Sequence, residues 1–215
     1  MQQRLFIVGA KRTPFGAFGG KLKGLTATDL AVKATAAALS AAKLNPAAVD
    51  SVCIGNVQQT SPDAAYLARH VALKCGMATE TPALNINRLC GSGFQSVVNI
   101  AHEILVGEAK IGVAGGTESM SQAPMAVYGQ DVRFGTALGK NLSMQDTLWA
   151  GLTDSHAGCP MGVTAENLAG SSLLRVASVL GSASPRAYGG TCSPWSAAKR
   201  GLPRPPRRGP SRCRA

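Results

Sequence analysis

What this sequence lacks narrows its class first. No apolar run approaches the ~20 residues that a membrane-spanning helix needs. Leu5–Val8 is short, and Arg175 interrupts the stretch from Leu173 to Leu180. The start of the chain carries no basic region followed by an apolar core and a cleavage site, which argues against a secretory leader. Aromatics make up only 5% of the residues, too few to interleave with basic residues as a base-stacking surface. The six cysteines (Cys53, Cys75, Cys90, Cys159, Cys192 and Cys213) include no C-x-x-C pair, and no histidine cluster accompanies them. That spacing speaks against a zinc site, and a chain of 215 residues is long enough to bury a core without a disulfide framework. A reducing compartment is expected.

Acidic residues are missing from one end only. Residues 1–170 hold 13 Lys/Arg against 11 Asp/Glu, whereas residues 171–215 hold 9 Lys/Arg and no acid. The formal charge of +11 therefore describes a nearly neutral body with a basic end, and is no argument that the body binds nucleic acid. The last 45 residues also lack Asn and Gln and hold six of the twelve prolines and eight serines. Such a composition cannot bury enough apolar surface to order itself, and it predicts a solvated, disordered tail. Its acid-free Arg/Pro/Ser/Gly bias is that of an alternative or out-of-frame C-terminus.

In the body, β-like and helical stretches alternate. Leu5–Val8 is the first strand candidate, followed by a Gly-rich loop, "GAKRTPFGAFGG". That loop is not a G-x-G-x-x-G fingerprint, so nucleotide binding is not expected. "LTATDLAVKATAAALSAAKL" reads as a helix, with Thr26 and Asp29 as a capping box and Leu25 and Leu30 as a hydrophobic staple. Ser51–Val57, Ala83–Leu89 and Ile111–Ala114 are further strand candidates. A short helix over Tyr66–Cys75 closes at Gly76. Phe94, Val97, Val98, Ala101, Ile104 and Leu105 recur at helical spacing, which predicts a helix over 92–106 with those residues as its apolar face. The alternation implies an α/β fold, a mostly parallel sheet with helices on both faces. Residues 121–170 break the pattern and read as a part-helical excursion of polar loops. The expected divisions are thus an α/β core over 1–120, a loop and substrate-covering region over 121–170, and the basic tail over 171–215.

One stretch carries chemistry. In "NINRLCGSGFQS", Cys90 stands where a strand ends and a Gly-Ser-Gly opens a helix. Sites in parallel sheets lie beyond the carboxyl ends of strands. A helix N-terminus stabilises a thiolate through its unpaired N–H groups and its dipole. The glycines permit a sharp turn and close approach. On spacing alone, a buried inert thiol packed at a strand end competes with an activated nucleophile, because cysteine is among the most buried residue types. A nucleophile also needs a base and an oxyanion hole.

The body resembles the N-terminal half of the thiolases, specifically the mitochondrial 3-ketoacyl-CoA type. The resemblance is carried by "AKRTPFGAFGG" (10–20), "TATDLA" (26–31), "GNVQQTSPDAAYLARHVALKCG" (55–76), "TPALNINRLCGSGFQSV" (81–97), "GGTESMSQAP" (115–124), "VRFGTALG" (132–139) and "PMGVTAENLA" (160–169). It implies an incomplete thiolase-like fold in which Cys90 is the acyl-accepting cysteine. It also implies thiolytic cleavage of a 3-ketoacyl-CoA, as in fatty acid β-oxidation. Acetyl-CoA leaves, the shortened acyl group stays on sulfur, and coenzyme A, a co-substrate and not a bound cofactor, removes it. Leu152 and Met161 fall on positions that line the acyl-CoA pocket, with ordinary apolar packing as the plain alternative. Pro160 stands where acetoacetyl-CoA thiolases often carry a histidine, which favours the 3-ketoacyl type over that alternative.

The family's remaining catalytic groups sit in its second half: an Asn in "NEAF", a His in "GHP" and a second Cys in "C-x-G". None of these motifs occurs in these residues, and Cys192 and Cys213 lie in other contexts. The histidines that are present do not replace them. His70 sits on the short helix as a packing or interface residue, His102 lies well along the helix after Cys90, and His156 reads as a solvated loop residue. The chain alone is therefore expected to be inactive, with a non-catalytic, dominant-negative thiolase half as the alternative role. The resemblance further implies a homodimer through strand 82–89, or association with a full-length thiolase. No specific nucleic acid, metal or membrane span is expected. The resemblance and the acid-free, basic first 28 residues point to the mitochondrial matrix, with peroxisome or cytoplasm as alternatives.

Overall fold

The computed structural model describes residues 4–171. The tail expected to be disordered lies outside them but for Ser171. Two compact units divide between Leu148 and Trp149, so that residues 121–148 pack with the first unit.

The first unit is built on a three-stranded parallel sheet, as the alternating pattern predicts. Helix α1 (Ala27–Ala42) starts at Thr26, whose Oγ1 accepts from the Asp29 amide at 3.0 Å, while the Asp29 carboxylate accepts from the Thr26 amide at 3.2 Å. The expected capping box is therefore formed. Strand β1 (Ser51–Gly55) is central and buried throughout. It pairs in parallel with β2 (Ala83–Ile86) on one side and with β3 (Gly112–Gly116) on the other. Between them lie α2 (Leu67–Lys74) and α3 (Ser92–Val106).

Successive side chains of a strand point to opposite faces, and β1 sorts its two faces by size. Val52 and Ile54 join Ala27, Ala31 and Leu39 of α1 and Leu67, Ala68, Val71 and Ala72 of α2 in one buried cluster. The alternate residue Gly55 turns to the other face and meets α3. Helices therefore cover both faces of the sheet.

The structure departs from the sequence pattern at two places. Leu5–Val8 forms no strand: residues 4–17 carry no helix or strand, and Phe6 and Ile7 are 77% and 83% exposed. A four-residue apolar run becomes a strand only where a neighbouring edge accepts its hydrogen bonds, and the described sheet ends at β3 without pairing to it. The second departure is the inward face of α3. Helix α3 buries Ser92, Ser96 and Ile100, not the larger apolar set; Phe94, Val97 and Leu105 are 72%, 43% and 47% exposed. The sheet surface beneath it explains this. A Cβ on Gly55 would lie 2.6 Å from the Ser92 carbonyl carbon, a Cβ on Gly112 would collide with Ile100, and one on Gly116 would come within 3.0 Å of the Gly93 Cα. A glycine-lined sheet lets the helix backbone descend close to it; the small Ser92 and Ser96 fit between, and Ile100 occupies the space that Gly112 leaves free.

Residues 117–148 continue the first unit. Thr117 Oγ1 donates to the Ala27 carbonyl (2.7 Å), Ser119 Oγ to Leu25 (2.9 Å) and Gln122 Nε2 to Lys23 (3.1 Å). The loop after β3 is thereby tied to the approach to α1. Beyond it are a short helix α4 (Gly129–Val132) and a two-residue antiparallel pair, β4 (Met125–Ala126) with β5 (Gln145–Asp146). Helix α5 (Thr147–Gly151) runs across the division. The second unit then holds the small hairpin β6 (Thr153–Asp154) and β7 (Cys159–Pro160), followed by α6 (Met161–Ser171). Among the described residues no helix is long and apolar enough to cross a membrane.

Candidate active site

Cys90 sits in a tight turn between β2 and α3, at the carboxyl end of the parallel sheet, with its side chain exposed. Three features fold the chain there. Asn85, in β2, anchors the strand sideways: its Oδ1 accepts from the Ala68 amide at 2.7 Å, and its Nδ2 donates to the carbonyls of Ala64 and Ala65. One side chain thus caps the start of α2 and fixes the strand that leads to Cys90. Next, Leu89 takes φ 48°, the left-handed region that an L residue enters at a cost of about 1–2 kcal/mol. Finally, the reversal is closed by Gly91 N–H to Arg88 C=O (3.1 Å) and Ser92 N–H to Leu89 C=O (3.0 Å). Cys90 is left at the apex.

The helix that follows supplies the electrostatics. Its N-cap, Gly91, has no side-chain cap, and its first intrahelical bond is Gln95 N–H to Gly91 C=O at 2.9 Å. The amides of Gly93 and Phe94 precede that ladder and have no intrahelical acceptor, as the first turn of any helix requires. Donors and dipole at this end favour an anion such as a thiolate. Cys90 is exposed and not packed into the core at the strand end. Cys53 shows the contrast: fully buried in β1, its thiol is pushed up to about 11 by burial.

Glu118 is a site residue that motif reading passed over within "GGTESMSQAP". Its carboxylate accepts from the amides of Val57 and Gln58 at 3.0 Å each and from Asn56 Nδ2 at 3.1 Å. Asn56 also donates to the Thr117 carbonyl, and Thr117 N–H donates to Gly55 C=O. The carboxyl ends of β1 and β3 are cross-tied by one half-buried acid, whose pKa burial raises against those hydrogen bonds. The available signal was an acid two residues past an apolar strand end, where a loop needs an acceptor.

Leu152 and Met161 belong to the second unit. They flank the β6–β7 hairpin and are joined by a hydrogen bond from Met161 N–H to Leu152 C=O at 3.2 Å. Both side chains are partly exposed, at 36% and 45%, so neither is spent on a core. His70 pairs with Asp63 through Nδ1 at 3.1 Å and stacks on Tyr66, while His102 and His156 are exposed. Among the described residues no cluster of three or more His, Cys, Asp or Glu could hold a metal.

The arrangement defines a class: an α/β protein that presents an exposed cysteine on a strained strand-to-helix turn. Comparison with known proteins supplies the family. The model of the thiolase N-terminal domain matches residues 5–173. The mitochondrial 3-ketoacyl-CoA thiolases of Rattus norvegicus and Homo sapiens are each 62% identical over 165 residues, 77% of this chain and 41% of theirs. Among solved structures, human mitochondrial 3-ketoacyl-CoA thiolase in complex with CoA superposes with a TM-score of 0.73 at 62% identity, over 76% of this chain and 41% of that one. The acetyl-CoA acetyltransferase of Bacillus anthracis gives a TM-score of 0.70 at 37% identity. This chain belongs to the thiolase family. It spans about 41% of the length of the curated relatives it matches.

Proposed function

We propose that this chain supplies the nucleophilic half of a 3-ketoacyl-CoA thiolase site. The observation that carries the reading is Cys90: an exposed thiol on a strained turn at a helix N-terminus, within a frame 62% identical to mitochondrial 3-ketoacyl-CoA thiolases. The Cys90 thiolate attacks the 3-keto carbon of a 3-ketoacyl-CoA. The bond between C2 and C3 breaks, and acetyl-CoA leaves with a proton at C2. The shortened acyl group remains as a thioester on Cys90 until the thiol of a second coenzyme A takes it and restores the cysteine. Leu152 and Met161 contribute apolar surface to the acyl-CoA pocket. Where the relatives are named mitochondrial, the same compartment is proposed for this chain.

A general base for the thiol and a donor for the C2 carbanion belong to the motifs that these residues lack. Each such group is worth roughly 10²–10⁴ in rate at nucleophilic sites. The proposed reaction therefore needs those groups alongside Cys90. A specific observation favours an interaction role: among the described residues β2 is an edge strand, paired only with β1, and Leu84, Leu89, Phe94 and Val97 near it are all exposed. Pairing of that edge with a second copy or with a full-length thiolase would cover both its backbone and its apolar side chains.

The test is a thiolysis assay with a 3-ketoacyl-CoA and coenzyme A. It is run on the chain alone, on the chain co-expressed with the second half of a related thiolase, and on Cys90→Ala versions of both. The expectation is no turnover alone and Cys90-dependent turnover with the second half. Turnover that survives Cys90→Ala would overturn the assignment.

A further inference from the structure

The Cys90 turn is held by a side chain that no motif of the reaction names. Ser92 is 4% exposed, and its hydroxyl bridges the reversal in both senses. Its Oγ accepts from the Arg88 amide at 2.8 Å and donates to the Leu89 carbonyl at 2.6 Å. The Ser92 amide donates to that same Leu89 carbonyl. Leu89 is the residue held at φ 48°, and Cys90 lies between it and the helix. From below, the Ser92 backbone rests where Gly55 of β1 leaves no room for a side chain. The hydroxyl is thus attached to a closely packed base and ties the Arg88 N–H to the Leu89 carbonyl, while the Leu89 N–H donates to Asn87 Oδ1 at 2.9 Å.

We propose that Ser92 is the positioning residue for Cys90: its hydroxyl clamps Leu89 in the left-handed conformation and so holds the thiol at the N-terminus of α3. The inference rests on Cys90 being the nucleophile, but it concerns only the reactivity of that thiol. Without the clamp, an L residue at φ 48° relaxes toward the ordinary regions. The turn then opens, and Cys90 leaves the apex at which the reversal presents it.

Ser96 provides the matched control. It is also a buried serine of α3, fully inaccessible, with its Oγ donating to the Gly93 carbonyl at 2.6 Å, one turn further on and away from the reversal. The experiment measures iodoacetamide labelling of Cys90 on the full chain at fixed neutral pH, by mass spectrometry of the Cys90 peptide, with thermal melts in parallel. Ser92→Ala is expected to slow labelling about 5–10-fold, the effect of losing one to one-and-a-half kcal/mol of stabilisation of the reactive form. Ser92→Thr, which keeps the hydroxyl, is expected to restore the rate to within about twofold of the unaltered chain. Ser96→Ala is expected to lower the melting temperature without slowing the labelling. Equal rates for Ser92→Ala and the unaltered chain, or an equal slowing by Ser96→Ala, would overturn the proposal. Should Ser92→Ala not fold, Ser92→Cys keeps the volume with a weaker donor, and an unchanged rate there overturns it too. A failure of thiolysis in the co-expression assay bears on the proposed function and leaves this outcome untouched.

Discussion

Two cysteines of this chain sit at opposite ends of one physical scale. Cys90 is exposed at a helix start, whereas Cys53 is sealed in β1 with its thiol raised to about 11. Brief iodoacetamide treatment near pH 8 should therefore label Cys90 and spare Cys53 until denaturant is added, as peptide mapping would read directly. Labelling of Cys53 first would contradict the burial. Asp63 makes a second prediction. Hydrogen bonds from the Ser61 hydroxyl and then from His70 hold its carboxyl down, from an ordinary 3.8 to about 2. A lowered carboxyl binds its proton less readily in the folded state, so it contributes stability above about pH 4 that disappears as pH falls through about 2. Asp63→Asn should flatten the drop in melting temperature across that window. An unchanged slope would mean that the Asp63 cluster carries no such linkage. At Glu118, replacement by alanine strands the Val57 and Gln58 amides and removes one of the two acceptors of Asn56 Nδ2. A loss of about 2–4 kcal/mol in urea unfolding is expected, since each buried unpaired donor costs about 1–3 kcal/mol.

Elements were legible from sequence in proportion to how locally they are determined. The α1 cap needs only Thr26 and Asp29, three residues apart, and both predicted bonds are present. Thr26→Ala should cost about 1 kcal/mol, measurable by chemical denaturation. The span of α3 also follows from its own period, but its orientation does not. Hydrophobic spacing selected Phe94, Val97, Val98, Ala101, Ile104 and Leu105 as one apolar face; the structure half-buries Val98, Ala101 and Ile104, leaves the other three exposed, and buries Ser92, Ser96 and Ile100 most deeply. The decisive contacts come from Gly55 of β1 and from Gly112 and Gly116 of β3, outside the helix whose period was read. Gly55→Ala tests this at the level of packing. Its new Cβ would meet the Ser92–Gly93 backbone at 2.6–2.8 Å, where no rotamer can yield. The expected result is loss of several kcal/mol or failure to fold, against a minor effect at Gly24, where a Cβ meets nothing within 4 Å. Leu5–Val8 shows the same limit in reverse: its composition is that of a strand, yet a strand needs a partner segment, and among the described residues no edge pairs with it.

For the whole molecule, the exposed apolar residues beside β2 are the feature with the widest consequence. If that edge pairs with another chain, Leu84→Lys should lower the apparent mass in analytical ultracentrifugation. A charge on an edge strand opposes strand-to-strand association at little expense to the monomer. An unchanged mass would remove this edge from the interface. The sequence by itself determined the family, the α/β class, the α1 cap and the position of Cys90 at a strand-to-helix junction. These depend on residue order and short-range pattern, and order survives without coordinates. Only the tertiary structure decided which face of α3 is buried, that Leu5–Val8 stands unpaired, that Glu118 ties two strand ends together, and that Ser92 grips the turn beneath Cys90. Each of these depends on backbone hydrogen bonds or steric contacts between segments, and hydrophobic period carries no information about either. The thiol was visible as a letter; its clamp became visible only as geometry.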